Sequence, residues 1–592
     1  MTMNVTTDFE EGAKALFFSW LDFTLFILML VVSTLIGIYF GFWGKKEDTP
    51  KEYLHGGKTM NTMPVAVSLV SSIISGITVM GAPSEIYMYG TLYWLVCVSA
   101  VLIGFINNYI YLPVFYELQL TSTYEYLQLR FNKQVRVMAS VLYTIGLLLN
   151  IPIVVYVPAL AFSQVSGVNI HIITVAVSVL CIFYTMLGGL KAVVWTDFLQ
   201  GLVMVVASIA VIILGLIQEG SFGAVWNKND IGGRIRFFEM TPSPTVRMSF
   251  WIVIIGHTIL WINVVSVNQA MVQKFMSLPT YRQAQKALVI AVAGLLVTKF
   301  ISCFTGLLIY AAYKDCDPLT SKAISRPDQL LPYYVMDISK SVPGLPGLFV
   351  AGIFSASLST MSSSLNALGA TLFEDFVRPC MKKTLSDRTA SNIIKCVVVV
   401  IGAICVLIVF IVDKMGSILQ LAFSALGVTA GAMIGLFTFG MLYPPGNAKG
   451  ALAGSIFSLL FMSWIVIGNR KGIAEGKIKL PLLPTSVEGC AYNFTLPEPT
   501  PTPELDEEEV FVLYRVTFMY YSLMGMVVMM VVGAAVSFFT QSKTDEKMNP
   551  ALFSPFVRKY FLKAESRNKE PASSKLLEFQ TANGNKLETI QT

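Results

Sequence analysis

The 592-residue sequence predicts an all-α polytopic membrane protein. Three observations predict it. Hydrophobic residues make up 55% of the chain and charged residues 13%, with mean hydropathy +0.66, which excludes an ordinary soluble enzyme. About thirteen apolar stretches each approach the ~20 residues that a bilayer requires. Two of those stretches are interrupted at mid-depth by hydroxyls, amides and glycine, where a helix that only anchors would carry Leu, Ile and Val.

The spans lie near 18–43, 64–89, 91–116, 137–165, 169–189, 196–217, 248–275, 286–312, 345–376, 393–412, 416–443, 448–468 and 512–538. An odd count puts the two ends on opposite sides. The basic stretches at 45–58, 129–136, 274–286 and 378–388 share one side if segment 1–17 is extracellular, which makes the tail 543–592 cytoplasmic. No cleavable signal precedes the first span. The sequons at Asn4 and Asn493 fall outside in this arrangement, the second in the loop 469–511. Cys316 and Cys490 also fall outside, either as a pair or as two free thiols. The net charge of +6 is spread between spans and tail, so nucleic acid is not an expected partner; the lipid bilayer is.

The first interrupted span carries Ser71, Ser72, Ser75, Gly76, Thr78, Gly81 and Pro83, and it opens a run of five spans over 64–217. The second, WINVVSVNQAMVQK, opens five more over 248–443. Five is odd, so the second run inserts upside down relative to the first. Paired broken spans at the start of two inverted halves point to a transporter with its site near the bilayer midplane.

Span 345–376 supplies the candidate chemistry. Ser359 and Thr360 lie three and four positions after Ala356, so both hydroxyls can approach its carbonyl on a helix. Neutral oxygens of this kind suit sodium, and a broken helix at 71–74 facing them would add main-chain oxygens. Tight packing through small residues is the alternative, and for Ser362, Ser363 and Ser364 it is the preferred one. Asp197 and Gln200, one turn apart, form a second candidate; a cap at the start of their span is the alternative for Asp197. Gln269 and Asn268 follow the second break and can add side-chain oxygens. Glu85 reads as an interfacial or gate carboxylate, and Lys191 and Lys274 as snorkelling anchors.

The blocks EYLHGGKTM, SLVSSIISGITVMGAPSEIY, PVFYELQLTSTYEYLQLRFNKQVR, YTMLGGLKAVVWTDFLQ, VNQAMVQKF and PGLPGLFVAGIFSASLSTMSSSLNALGATLFEDFVRP resemble the sodium/solute symporter family. The resemblance runs from about residue 52 to 464 and is strongest to the branch of multivitamin, monocarboxylate and iodide transporters. It implies a LeuT-type fold, with a leading helix 18–43, two inverted five-helix repeats and trailing helices over 448–538. It implies a principal sodium site from the carbonyls of Ser71, Ile74 and Ala356 and the hydroxyls of Ser359 and Thr360. A second sodium region falls on Ser72, Asp197, Gln200 and Gln269. The implied substrate cavity is lined by Thr78, Ala82, Tyr93, Ala100, Trp261, Val265, Leu419 and Phe423. Iodide-transporting members carry glutamines where this chain has Thr78 and Ala100, and the sugar-binding positions read Cys97, Val264 and Val265. The cavity so drawn holds no Lys or Arg, so an anion would lean on half-helix N–H groups, Thr78 and bound sodium.

The sequence therefore predicts a plasma-membrane symporter that couples sodium to a small organic anion, a monocarboxylate or a vitamin such as biotin or pantothenate. An iodide-like or uncoupled carrier and a non-transporting nutrient sensor are the rivals. No cofactor beyond sodium is expected, and nothing resembles an enzyme's nucleophile–base pair or metal triad.

Overall fold

The computed structural model describes residues 18–43, 56–120, 122–340, 342–381, 386–412, 418–478, 481–490, 510–540 and 549–559. Asn4, Asn493, segment 1–17 and most of the tail lie outside the described residues, as does the side chain of Leu419. Ten described helices are long and apolar enough to cross a membrane, or up to twelve if each of two bent pairs is one span. The helical stretch Ile170–Glu219 supplies the difference from thirteen. At 1.5 Å per residue its 50 residues would run about 75 Å, more than twice the ~30 Å hydrocarbon core. It breaks at Gly189, whose φ of 56° and ψ of −153° are open only to glycine, so it serves as two spans.

We number the helices that frame the site. The leading helix α1 (Trp20–Trp43) starts at a capping box between Ser19 and Asp22. The other oxygen of Asp22 accepts from Gly347 N at 2.8 Å, which ties the start of α1 to a later helix. Next come α2 (Thr62–Ile73) and α3 (Gly76–Tyr89), bent by 56° across two residues. Ile74 and Ser75 are extended, with ψ of 103° and 170°. The ladder stops there, and the carbonyls of the last turn of α2 and the N–H groups of the first turn of α3 lack helical partners. Helices α4 (Thr91–Leu118) and α5 (Lys133–Ser166) follow, and α6 is the kinked stretch Ile170–Glu219.

The second bent pair is α7 (Ile252–Val267) and α8 (Gln269–Met276), at 48°. Two π-helical stretches, Ile252–His257 and Asn263–Val267, loosen α7 before the break. Asn268 is extended and caps α8, its side chain accepting from Ala270 N at 2.9 Å. Helix α9 (Tyr281–Tyr313) leads to α10 (Leu345–Leu372). In α10's span 94% of the apolar window is buried, against 22% in α1, so α10 runs through the centre while α1 faces lipid. Its small residues permit that: Gly76 comes so close to α10 that its N–H donates to Ser357 Oγ at 3.2 Å.

Outside the spans, Cys316 and Cys490 form a disulfide. It joins the segment after α9 to residues 481–490, where Asp317 N donates to Ser486 O and Gly489 N to Asp315 O.

Candidate cation and substrate sites

The break after Ile73 brings the end of α2 against α10. Thr360 Oγ1 lies 3.1 Å from the Ser72 carbonyl and 3.0 Å from the Ala356 carbonyl, its single proton shared between them. Ser359 Oγ lies 3.2 Å from Ser71 Oγ and 3.2 Å from Ser72 Oγ. Ser71, Ile74, Ala356 and Ser359 are buried. Of the five residues drawn as the principal sodium site, Ser71, Ala356, Ser359 and Thr360 thus meet across one helix contact rich in neutral oxygen, with the carbonyl of Ser72 rather than that of Ser71 facing Thr360 and Ile74 at the break beside it.

Beside this patch lies a charged group. Asp197 is fully buried on α6. Its Oδ2 accepts from Ser68 Oγ at 2.7 Å, Ser72 Oγ at 3.0 Å and Ser363 Oγ at 3.1 Å. Its main-chain carbonyl accepts from Ser71 Oγ at 2.9 Å. The fourth donor to Oδ2 is Lys274 Nζ at 2.8 Å, which also reaches Ser363 Oγ at 2.8 Å, the Ser68 carbonyl at 3.2 Å, and Ser72 Oγ.

Lys274 is therefore not a snorkelling anchor. It is fully buried, because a desolvated carboxylate requires a cation and the last turn of the short helix α8 offers this one within reach. Ser363 is likewise part of the polar group rather than packing alone. Ser362, which back-bonds to the Ser359 carbonyl at 3.1 Å, fits the packing reading. Gln269 Oε1 accepts from Thr123 N at 2.7 Å and Thr123 Oγ1 at 3.0 Å, which fills both lone pairs and leaves that oxygen no capacity for an ion. Gln200 Nε2 donates to Ser33 Oγ at 3.2 Å. Asp197 Oδ1 and Gln200 Oε1 are buried without a hydrogen-bond partner.

The residues drawn as the substrate cavity are buried too: Thr78, Ala82, Tyr93, Ala100, Trp261, Val265 and Phe423. Trp261 packs on His257 with ring centroids 5.4 Å apart, and Tyr93 meets His257 edge-on at 6.4 Å. Phe423 stacks on Phe518 at 5.7 Å. Glu85 holds Arg247 through two contacts of 2.8 Å, and the guanidinium lies 3.9 Å from the Tyr89 ring centroid. Beside one of these residues lies a lysine that the sequence reading left out: Lys299 on α9 places its Nζ 4.4 Å from the centroid of the Trp261 ring. A lysine in the middle of the apolar run GLLVTKFISC was the available signal, since ionisable groups inside spans are rarely structural filler. His257, inside the apolar run FWIVIIGHTILWI, carried the same mark; Ser68 did not.

A bundle of membrane-length helices, two of them broken around a buried oxygen-rich contact, defines a solute transporter rather than an enzyme or an anchor. The sodium:solute symporter family matches residues 53–458, and the chain belongs to that family. It is 40% identical over 542 residues to sodium-coupled monocarboxylate transporter 2 of Mus musculus, covering 91% of this chain and 87% of that one. It is 40% identical over 532 residues to sodium-coupled monocarboxylate transporter 1 of Homo sapiens, covering 88% and 87%. Among solved structures it resembles a Na+-coupled sialic acid symporter in a substrate-bound outward-open state, with TM-score 0.72, 21% identity, and 89% of this chain and 100% of that one covered. The fold is LeuT-type.

Proposed function

We propose that the chain imports a small monocarboxylate together with sodium across the plasma membrane by alternating access. The observation that carries this is the contact between the broken end of α2 and Ala356, Ser359 and Thr360 of α10. The principal sodium site is read as the carbonyls of Ser71, Ile74 and Ala356 with the hydroxyls of Ser359 and Thr360. In this reading Thr360 Oγ1 turns its lone pairs to the ion, with its proton still on a carbonyl. A second sodium would use Asp197 Oδ1 and Gln200 Oε1, the oxygens not already bonded, with Ser72 beside them. Lys274 already shares Oδ2 and competes with that second ion.

The mechanism is linkage. Sodium pins α2 to α10 and so forms the cavity around Thr78, Ala82, Tyr93, Ala100, Trp261, Val265, Leu419 and Phe423. Solute and sodium then favour closure, and release follows where sodium is scarce. One sodium ion moving down a tenfold gradient supplies about 1.4 kcal/mol, and the membrane potential adds about 2.3 kcal/mol per charge per 100 mV. Repeats over 64–217 and 248–443, each opened by a bent pair, supply the two moving halves. Segment 1–17 and the sequons at Asn4 and Asn493 are placed outside, the tail inside. The monocarboxylate is favoured over a vitamin by the names of the relatives at 40% identity.

Uptake of radiolabelled lactate, pantothenate, biotin, iodide and glucose, with and without external sodium, tests this reading. Sodium-dependent accumulation of lactate above background is expected. Accumulation of iodide alone, or binding without accumulation, would contradict it.

A further inference from the structure

Three buried side-chain nitrogens cluster around the Trp261 ring. Lys299 Nζ, Trp261 Nε1 and His257 Nε2 all lack a hydrogen-bond partner among the described residues. Their residues are 2%, 6% and 1% exposed, so bulk solvent does not reach them. Lys299 makes no ion pair among the described residues, and the ionisable groups beside it are the thiols of Cys97 and Cys303 rather than carboxylates. The ring of Trp261 offers the ammonium partial compensation through its face. On the other side of that ring system, Ser99 Oγ sits 2.8 Å from His257 Nδ1 and 2.8 Å from Thr258 Oγ1. Where Ser99 donates to Nδ1, the ring proton sits on Nε2 and makes it a donor.

With Lys299 protonated and the His257 proton on Nε2, the three groups form a buried positive cluster without acceptors among the described residues. A neutral solute would leave the ammonium unpaired. A carboxylate brings a full negative charge and up to four lone-pair positions, enough for all three donors. Lys299 comes from α9, Trp261 and His257 from α7, and Ser99 from α4, so the cluster draws on none of the residues of the α2–α10 contact.

We propose that Lys299, flanked by Trp261 and His257, receives the carboxylate of the transported solute and selects an organic anion over its neutral analogue. This rests on the monocarboxylate reading above and adds the residue that recognises the charge. The bound ion at the α2–α10 contact then raises affinity through the conformation, without having to touch the carboxylate.

The test uses the full chain in lipid nanodiscs with sodium present. Dissociation constants are measured for lactate and for lactamide, its neutral amide, on wild type, Lys299→Met and Lys299→Arg. Lactate is expected to bind Lys299→Met roughly thirtyfold more weakly, the scale of losing one partner of a buried charge pair, while lactamide binding stays the same. Sodium-induced thermal stabilisation, retained in the variant, shows that it is folded. If Lys299→Met does not fold, Lys299→Arg is decisive: it keeps the charge and displaces it, so lactate should weaken by roughly three- to tenfold, and an unchanged constant overturns the proposal. Equal lactate binding by wild type and folded Lys299→Met overturns the assignment of Lys299 and leaves the transport reading standing. No binding of lactate, pyruvate, biotin or pantothenate by wild type overturns both.

Discussion

Two lysines lie buried within the bundle, and the protein treats them oppositely. Lys274 is saturated: Asp197, Ser363, Ser72 and the Ser68 carbonyl surround its ammonium. Lys299 has an indole face and no hydrogen-bond acceptor among the described residues. Both are desolvated, so both pay the cost of leaving water. Only one recovers it from the protein itself. A saturated cation joins elements, here α2, α6, α8 and α10. An unsaturated one can receive a charge that arrives from outside. Burial alone does not distinguish these roles; the inventory of acceptors does.

The largest expected effect breaks the first side of the comparison. Lys274→Met leaves Asp197 as an uncompensated buried carboxylate and should cost about 3–5 kcal/mol, read as loss of folded, monodisperse protein. Adding Asp197→Asn to that variant should restore most of the folded yield, because charge imbalance rather than lost bonding causes the defect. Failure of the pair to rescue would mean that the lysine holds the fold by its geometry.

The second effect is smaller and opposite in sign. Lys299→Met removes a charge with no internal partner, so the solute-free protein should melt higher, by on the order of 1 kcal/mol. A lower melting temperature in that variant would show that Lys299 is a packed structural cation like Lys274. Lactate should further stabilise wild type and not the variant, which reverses their order when the ligand is added.

The broken helices were legible in the sequence because Ser, Gly and Asn at membrane depth have few other uses. The span count was legible too, and Gly189 explains why one pair fuses into a single helical stretch. The pairing of Lys274 with Asp197 was not, since they are 77 positions apart and either could be drawn facing an aqueous rim. Gln269 was drawn toward the ion because it follows the second break; its oxygen turns to Thr123, on a helix whose packing no local pattern announces. Lys299 is the instructive miss. Its position inside an apolar run is visible in the sequence, but the family resemblance implies no cavity residue on α9, so nothing local ties this lysine to Trp261.

The central claim is that main chain freed at the end of α2 and the alcohols of Ser359 and Thr360 together hold a sodium ion. Equilibrium binding of radioactive sodium to purified wild type and to the Ser359→Ala/Thr360→Ala double variant tests it most directly. Saturable binding in wild type, weakened at least tenfold (about 1.4 kcal/mol) in a double variant that still folds, is the predicted result. Equal sodium binding by the two proteins would contradict the account.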